Sequence, residues 1–450
     1  MNRRNFLKHC SLPIASGIGI GALSSVFGEG HAAANDYKAL VCVFLNGGND
    51  GHNTLIPTDG AYADYSAARP ILALPKDSLV ALNGSSAGHT FGVHPGVASL
   101  ANLYNRQKLA WISNVGPLIV PATGQQVLDK AVAIPPFLMS HSDQTAMQQG
   151  WGGDFDQSGW AGRALELMPA ALQNKLNAVT TNSERTFVLG KNTSVSFMPT
   201  NGARYWGRAD LASPQGYWAQ ALNNMAKLQF ANQYEAEYAR TLGLSVSEGT
   251  LLTQAFARAI QPKGNFGSDD LSTRLRSLAS VLPVFKAIGF KRQIFLVSWG
   301  SFDTHFSQRG SDGRTQDTQL AVLGNAISAF DESISAAGMD LDVTTFSMSD
   351  FGRTLRPASG AGTDHAWGNH WFVMGGAVAG GQVLGKFPSL VLGGAEDGDP
   401  GRGGRHVPST STDQVGASLM QWMGLPESQF SSVFPSLANF SQKTIPLFKV

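Results

Sequence analysis

Buried strands are predicted wherever the chain shows a short, continuous run of apolar residues rich in branched and aromatic side chains. Five such runs stand out, at Ala39–Leu45, Leu109–Val115, Gln293–Val297, Val343–Met348 and Phe372–Gly376. A strand that is covered on both faces loses the alternation of apolar and polar positions. We therefore expect these segments to lie inside a sheet that has no exposed face.

Helical periodicity appears between the predicted strands. In Thr315–Ala336, the residues Leu320, Leu323, Ile327 and Phe330 recur at intervals of three and four positions, which places them on one face of a helix. Strands that alternate with helices are typical of a mainly parallel sheet with helices on both faces. The predicted fold class is therefore α/β.

A second helical stretch is predicted from about Arg204 to Lys263. Trp218, Leu222 and Met225 have the spacing of one apolar helix face. We interpret residues 204–263 as a helical insertion that caps the α/β core. Apolar residues at this spacing are more often packing residues than cofactor ligands, so no chemistry is assigned to them.

The amino terminus has the features of a signal for export in the folded state. Arg3 and Arg4 precede Asn5-Phe6-Leu7, a weakly apolar stretch follows at Ser11–Phe27, and Ala32-Ala33-Ala34 fits a cleavage site. This pattern predicts a twin-arginine signal peptide at residues 1–34, with the twin-arginine translocase as a partner during export. The alternative is a chance Arg-Arg pair in an amino-terminal arm. We expect residues 35–450 to form the mature domain, without a transmembrane segment, in the periplasm or outside the cell.

Charge and cysteine content narrow the range of partners. The chain has 33 Lys and Arg against 32 Asp and Glu, which argues against nucleic acid or an anionic membrane surface as the main partner. Its two cysteines are Cys10 and Cys42, and Cys10 would leave with the signal peptide. We therefore expect an exported protein whose core, rather than a disulfide bond, supplies its stability.

Candidate chemistry lies just beyond the predicted strands, where parallel α/β sheets bind their ligands. The first run is followed by Asp50, the run ending at Val297 by Asp303, and the run ending at Met348 by Asp350. If the strands are neighbours, three carboxylates converge and repel one another unless a cation compensates them. The alternative is that each Asp is an ordinary turn or helix-capping residue.

Histidines near the same positions extend the metal hypothesis. His305 follows Asp303 closely, and His365 and His370 lie at the two ends of the segment His-Ala-Trp-Gly-Asn-His. Mixed carboxylate and imidazole ligands favour one or two ions of zinc, manganese or iron, with magnesium or calcium less suited to a histidine-containing site. His305 and His365 are the better candidates, because His370 precedes an apolar strand and fits a packed core histidine equally well.

Three further residues are candidates for catalysis. Ser140 and His141 follow an apolar run and precede a predicted helix, so the Ser140 hydroxyl would lie at a positive helix end and could act as a nucleophile. The alternative is that Ser140 or Ser142 only caps that helix. Arg353 could hold the oxygens of a phosphate or sulfate ester, or it could pair with a structural carboxylate.

These motifs, in this order, resemble the family catalogued as domain of unknown function 1501. The matching segments are Gly47–Gly51, Ser140-His141, Phe302–His305, Ser349–Thr354, Gly362–His365 and Pro408–Gln414, together with the twin-arginine signal. That family is grouped with the alkaline phosphatase and sulfatase-like superfamily. The resemblance implies a three-layer α/β/α sandwich with a metal-assisted hydrolytic site at the carboxyl edge of the sheet.

The resemblance also implies roles for individual residues. Asp50 would match the metal aspartate after the first strand, and Ser140 the nucleophile. Asp303 with His305 would match one metal site, Asp350 the other, and either His365 or His370 the last histidine. The sequence departs from the superfamily at Phe351, where a ligand histidine is usual, and it lacks the Cys/Ser-x-Pro-x-Arg motif of sulfatases. These departures put a two-metal mechanism in doubt.

The sequence therefore predicts a metal-dependent hydrolase of phosphate or sulfate esters that acts outside the cytoplasm. Its substrate would be a small-molecule or polymeric ester, attacked by Ser140 or by a water that the metal activates. The alternative, motivated by Phe351, is an envelope binding or assembly protein that keeps the fold without catalysis.

Overall fold

A nine-stranded sheet forms the centre of the protein. The computed structural model describes residues 36–150, 157–200 and 215–449. A second, three-stranded sheet has the order β2-β4-β3. The strands are β1 Lys38–Leu45, β2 Leu55–Pro57, β3 Val80–Ala81, β4 Phe91–Val93, β5 Leu109–Gly116, β6 Ala178–Thr180, β7 Ser196–Phe197, β8 Arg292–Trp299, β9 Val343–Ser349, β10 Asn369–Met374, β11 Val383–Leu384 and β12 Thr410–Ser411.

Helices connect most of these strands. Several begin at a side-chain cap: Thr315 accepts a hydrogen bond from the Thr318 amide, and Ser411 forms a capping box with Gln414. The helices are α1 Tyr62–Ala68, α2 Ala98–Asn105, α3 Gly124–Leu128, α4 His141–Gln148, α5 Trp160–Leu167, α6 Tyr217–Lys227, α7 Gln233–Ala257, α8 Asp270–Ala287, α9 Gln316–Ala336, α10 Thr412–Met423 and α11 Phe430–Val433.

The order of the strands determines which loops share an edge. Across the large sheet the order is β11-β5-β10-β9-β1-β8-β6-β7, and β12 also pairs with β5. β1 pairs in parallel with both β8 and β9, whereas β10 runs antiparallel to its neighbours β5 and β9. The carboxyl ends of β1, β5, β8 and β9 therefore lie at one edge, and the amino end of the reversed β10 joins them there.

The large sheet is buried on both faces. Leu40, Cys42 and Phe44 of β1 belong to one core cluster that also contains residues of α5, α10 and α11. Val41 and Val43 point to the opposite face because side chains alternate along a strand, and they are fully buried too. On the helical layers, α8 contacts both α9 and β8. This confirms the α/β fold class with a mostly parallel sheet covered by helices.

The chain divides into two compact units by its internal contacts. Within the described residues, the smaller unit contains α6 and α7 up to residue 254, and the larger one contains the remaining elements. The two helices of the smaller unit approach closely where Gly243 lies against Ala226, since a Cβ at position 243 would be 2.8 Å from the Ala226 Cβ. That residues 204–263 serve as a cap stays a prediction.

The predicted elements agree with the structure in most places. The four predicted strands up to Met348 are present with ends shifted by one or two residues, and α9 starts at Gln316, directly after the predicted boundary. The last predicted strand is displaced, because β10 begins at Asn369 and ends before Gly375, whose φ of +154° belongs to a turn. Among the described residues, no helix is long and apolar enough to cross a membrane. The proposed signal peptide at residues 1–34 lies outside the described part.

Candidate metal centre

Three loops at the carboxyl edge of the sheet are pressed tightly together. Gly47, just after β1, has a φ of +99°, and a Cβ there would lie only 2.6 Å from the backbone nitrogen of Asp303. Glycine is the residue that accepts this backbone conformation and this close approach without strain. The loop after β9 joins them through Asp350, whose Oδ1 accepts a hydrogen bond of 3.0 Å from the Gly47 amide.

Three histidine side chains converge on one oxygen of Asp303. The Nε2 atoms of His305 and His365 each lie 3.1 Å from Asp303 Oδ1, and the Nε2 atom of His141 lies 3.5 Å from it. His305 Nε2 and His365 Nε2 are 2.9 Å apart. One ligand atom each of His141, Asp303 and His365 lie within 4.8 Å of one another. Such a set of nitrogen and oxygen atoms can hold a metal ion of the zinc type.

The Nδ1 atom of each of these histidines, on the ring side away from Asp303, forms a hydrogen bond that orients the ring. An acceptor lies at 2.7–3.1 Å from every Nδ1, and the pairs are His141 with Asp350 Oδ2, His305 with Asp364 Oδ1, and His365 with the carbonyl of Met139. A carbonyl oxygen only accepts, so the proton of neutral His365 is on Nδ1 and its Nε2 lone pair points to Asp303. Metal-binding histidines are usually fixed in this way.

His365 reaches the site because β10 is reversed. Residues 352–354 pair with residues 364–367 through a Thr354 amide to Asp364 carbonyl bond of 3.0 Å and a Gly352 amide to Trp367 carbonyl bond of 3.1 Å. This pairing holds His365 next to the segment that leaves β9. The histidine then leads into Asn369, the first residue of β10.

Asp50 and Asp350 are both held by partners within the protein. The buried Asp50 carboxylate forms an ion pair with Arg69 and accepts a 2.7 Å hydrogen bond from Gln308 Nε2. Asp350 is also buried, and its two oxygens contact the Gly47 amide and His141 Nδ1. That either carboxylate binds a metal stays a prediction.

His370 is packed in the core, and its role as a metal ligand stays a prediction. Its Nδ1 accepts a 3.1 Å hydrogen bond from the Asn114 amide, which places the proton of the neutral ring on Nε2. The ring stacks on Phe387 with centroids 5.0 Å apart, and the His52 ring lies beside it. Burial lowers the pKa of His370 to about 3, so the ring is neutral at physiological pH.

Arg353 is held by partners within the protein. The guanidinium is fully buried and donates to the carbonyls of Gly48, Thr363, Phe302 and Gly47, and to Asp303 Oδ1 at 2.7 Å. These contacts agree with the pairing of Arg353 with a structural carboxylate, and its contact with a substrate stays a prediction. Although burial raises the pKa of Asp303, the hydrogen bond and charge of Arg353 outweigh it and lower that pKa to about 2.

Ser140 occupies the cap position of α4 without capping it. Its side chain accepts no hydrogen bond from the helix amides. The hydroxyl instead donates to Asp143 Oδ2 at 2.5 Å and lies 3.2 Å from Ser142 Oγ. The capping interpretation of Ser140 is therefore not what the structure shows. A carboxylate that accepts from a serine hydroxyl is also a group that can take its proton.

Phe351 fills space between two of the imidazoles. Its fully buried ring lies 4.8 Å from the His141 ring and 4.5 Å from the His365 ring, measured between centroids. Phe351 thus packs against two of the histidines of the cluster. Within residues 36–150, 157–200 and 215–449, His141, Asp303 and His365 are the one group of three or more histidine, cysteine or acidic residues whose possible ligand atoms lie this close together.

Sequence reasoning missed the groups that hold the ligands. Arg69, Gln308 and the Met139 carbonyl carry no signal in the sequence, because their partners are 19 to 258 residues away along the chain. Asp364 could have been found, since it directly precedes His365 in a segment already singled out.

Residues 37–398 match the model of the family described as "Protein of unknown function (DUF1501)". No curated protein matches the sequence. Among solved structures, the chain is similar to the lipoteichoic acid synthase LtaP from Listeria monocytogenes, with 9% identity over 88% of this chain and 74% of that one, at a TM-score of 0.33. A phosphonate monoester hydrolase from Silicibacter pomeroyi has 8% identity over 87% of this chain and 74% of that one, at a TM-score of 0.31. Ps i-CgsB has 11% identity over 91% of this chain and 77% of that one, at a TM-score of 0.34. At these values the likeness carries no information about activity.

Proposed function

The chain belongs to the DUF1501 family, and from that premise we propose that it is a metal-dependent hydrolase of phosphate or sulfate esters that works outside the cytoplasm. One observation carries the proposal. Three imidazoles, each fixed through Nδ1, turn their Nε2 atoms toward a single carboxylate oxygen of Asp303. A divalent cation bound by these nitrogen atoms and this carboxylate would account for the arrangement, beside the Arg353 guanidinium that pairs with Asp303.

The donor set fits a divalent ion of borderline softness. His141, Asp303 and His365 provide two imidazoles and one carboxylate, and His305 lies beside them. Imidazole with carboxylate suits zinc, manganese or iron better than magnesium or calcium. The low pKa of Asp303 keeps it ionised, and burial lowers the pKa of His365, which favours the neutral imidazole that a metal requires.

The centre is open to a substrate from solvent. The side chains of Asp303 and His141 are each 40% exposed, and that of His305 is 32% exposed. A bound divalent ion would polarise the ester and lower the pKa of a nucleophile. Ser140, which directly precedes His141, is the nucleophile that we propose, with Asp143 accepting its proton through the 2.5 Å hydrogen bond. Arg353 and Asp350 keep Asp303 and His141 in place.

The proposed location rests on the amino-terminal sequence. Arg3 and Arg4, the weakly apolar stretch and the alanine-rich cleavage site together are typical of the twin-arginine route. The one cysteine beyond the signal, Cys42, is buried within β1, so a move to an oxidising compartment would not expose a thiol. Export after folding also suits a protein that binds its metal inside the cell.

The test combines metal content with turnover. We expect the purified mature chain to bind about one zinc, manganese or iron ion, and to hydrolyse 4-nitrophenyl phosphate or sulfate. Asp303→Asn and His365→Ala should lose both properties, whereas His89→Ala, which removes an imidazole paired with Asp59 outside the centre, should keep both. A wild-type protein that takes up none of these metals, by elemental analysis before and after reconstitution, would sink the proposal.

One observation favours a second candidate, an envelope binding protein without catalysis. Arg353 already pairs with Asp303, and Arg69 with Asp50, so two of the three predicted metal aspartates have a permanent cation within the protein. Such a fold could persist without an ion. Full metal occupancy with no turnover on phosphate and sulfate esters, and an unchanged cellular role for Asp303→Asn, would favour this candidate.

A further inference from the structure

The buried side chain of Gln308 joins two segments that carry candidate metal ligands. Its Oε1 atom accepts hydrogen bonds from the hydroxyl of Thr363 at 2.7 Å and from the hydroxyl of Thr304 at 3.2 Å. Thr304 directly follows Asp303 in the chain. Thr363 lies two positions before His365. One amide oxygen therefore connects the segment after β8 with the segment before β10.

The nitrogen of the same amide is fixed on its other side. Gln308 Nε2 donates to Asp50 Oδ2 at 2.7 Å and to Gln316 Oε1 at 2.8 Å. The Asp50 carboxylate, which pairs with Arg69, only accepts hydrogen bonds, so this contact determines the orientation of the Gln308 amide. Both N–H groups and both lone pairs of the amide are used, and the side chain is fully buried.

Backbone hydrogen bonds hold the same segments next to each other. The Thr363 amide donates to the Thr304 carbonyl at 3.0 Å, and the Gln308 amide donates to the Ala361 carbonyl at 3.0 Å. The Gln308 carbonyl accepts at 2.9 Å from the amide of Gln316, the first residue of α9. The side-chain amide thus starts from a fixed backbone, and its two threonine partners cannot move apart without breaking a hydrogen bond to it.

We propose that Gln308 is a positioning residue, which sets the spacing between Asp303 and His365 and thereby the affinity of the centre for its metal. The inference rests on the part of the proposed function that places a metal here, and it does not require turnover. Asp303 Oδ1 and His365 Nε2 lie 3.1 Å apart, and metal sites tolerate deviations of only about 0.2 Å in their ligand distances. A buried amide is costly unless its hydrogen bonds are made, and those of Gln308 to the two threonines act between the ligand-bearing segments.

The zinc affinity of the purified protein tests this role. Gln308→Met leaves a side chain of similar size and removes all hydrogen bonds of the amide. We expect it to weaken zinc binding by about tenfold, the lower end of the effect of groups that support metal ligands, because Gln308 acts on the ligands through their neighbours. Competition with a chromophoric chelator measures the affinity, and circular dichroism checks that the variant is folded. The visible absorption of bound cobalt, which depends on coordination geometry, should change as well.

Thr363→Val tests the same contact from its other end, because it removes the hydroxyl and nearly keeps the shape of the side chain. It should weaken zinc binding several-fold. Adding it to Gln308→Met should weaken binding by less than about twofold further, since the hydroxyl has already lost its partner. Losses that multiply in the double variant would overturn the inference. If Gln308→Met does not fold, wild-type zinc affinity in Thr363→Val overturns it, and the several-fold loss supports it.

The matched control is Gln293→Met, at the end of β8 opposite to Asp303. Gln293 is also fully buried, accepts from the Tyr37 hydroxyl at 2.7 Å and donates to the Leu176 carbonyl at 2.9 Å. Its loss should lower the free energy of unfolding and leave the zinc affinity and the cobalt spectrum unchanged. The same pattern in Gln308→Met would overturn the inference alone, whereas a wild-type protein that binds no metal would remove the proposed function with it.

Discussion

His305 and His365 bring their Nε2 atoms to 2.9 Å from each other across the mouth of the metal centre. His365 donates its Nδ1 proton to the Met139 carbonyl, so its Nε2 presents a lone pair to the facing ring. Two ring nitrogens at this distance need either a proton or a metal ion between them. Either a proton or a metal ion can therefore be shared by the two Nε2 atoms, and a metal ion that binds there has to displace the proton.

Metal binding should accordingly release protons and weaken as the pH falls. We expect zinc affinity to drop by at least about tenfold between pH 7.5 and 5.5, because imidazoles must be deprotonated to bind a metal. His141 strengthens this trend, since its hydrogen bond to Asp350 raises its pKa. Calorimetry in buffers of different ionisation enthalpy counts the protons released. An affinity that is constant over this pH range would show that the imidazoles are not ligands.

Asp350 should control metal affinity without being a ligand. Asp350→Asn removes the charge behind His141 and weakens the hydrogen bond to its Nδ1, now 2.7 Å. Loss of such a supporting group typically lowers metal affinity by about 10- to 100-fold. Competition with a chromophoric chelator measures the change. The matched control is Asp59→Asn, which removes a carboxylate that pairs with His89 outside the centre, and equal affinities for the two variants would contradict the role of Asp350.

Arg353 should contribute strongly to stability. Arg353→Ala leaves the carbonyls of Gly48, Phe302 and Thr363 without their buried donor and Asp303 without its cation. We expect the free energy of unfolding to fall by on the order of 3 kcal/mol, because each buried carbonyl left without a donor costs about 1 to 3 kcal/mol. Chemical denaturation of the metal-free protein measures the loss.

Arg240→Ala provides the comparison for that measurement, because Arg240 pairs with Glu237 on the exposed surface of α7. Its effect should stay within about 0.5 kcal/mol. A loss for Arg353→Ala no larger than that of Arg240→Ala would mean that the guanidinium is not a structural element.

Acid should destabilise the fold through two buried histidines. Burial lowers the pKa of His370 to about 3 and that of His406 to about 4, from the ordinary histidine pKa of about 6.5. Above pH 6.5 both are neutral in the folded and unfolded chain, so they do not affect stability. As the pH falls from 6.5 toward the folded-state pKa, only the unfolded chain takes up the protons, and each histidine lowers the free energy of unfolding by about 1.4 kcal/mol per pH unit.

Urea denaturation of the metal-free protein between pH 7 and 5 checks this slope. His370→Leu should lower the pH dependence of the free energy of unfolding by about 1.4 kcal/mol per pH unit, the contribution of one proton. His89→Ala, which removes a partly exposed histidine, should leave the slope close to that of the wild type. If His370→Leu has the wild-type slope, the buried ring is not the group that titrates.

The strands and the polar residues that follow them could be predicted from the amino-acid sequence alone. The continuous apolar runs at β1, β5, β8 and β9 identify buried strands, because such runs are stable only when both faces of the strand are covered. Since parallel strands end at the same edge, Asp303, His305 and Asp350 could be assigned to one neighbourhood. The family motifs could also be recognised from the sequence, because each motif is short and contiguous in the chain.

Which of those residues come together depends on the folding of the whole chain. β10 runs against its neighbours, which brings His365 to the edge and leaves His370 inside the core. Arg69, 19 residues from Asp50, pairs with that carboxylate, and Asp350 contacts His141. Side-chain direction depends on partners that are distant in sequence, whereas periodicity reports only local burial. The sequence therefore predicts a cluster of acidic residues and histidines, and the packing of the folded chain determines which of them belong to it.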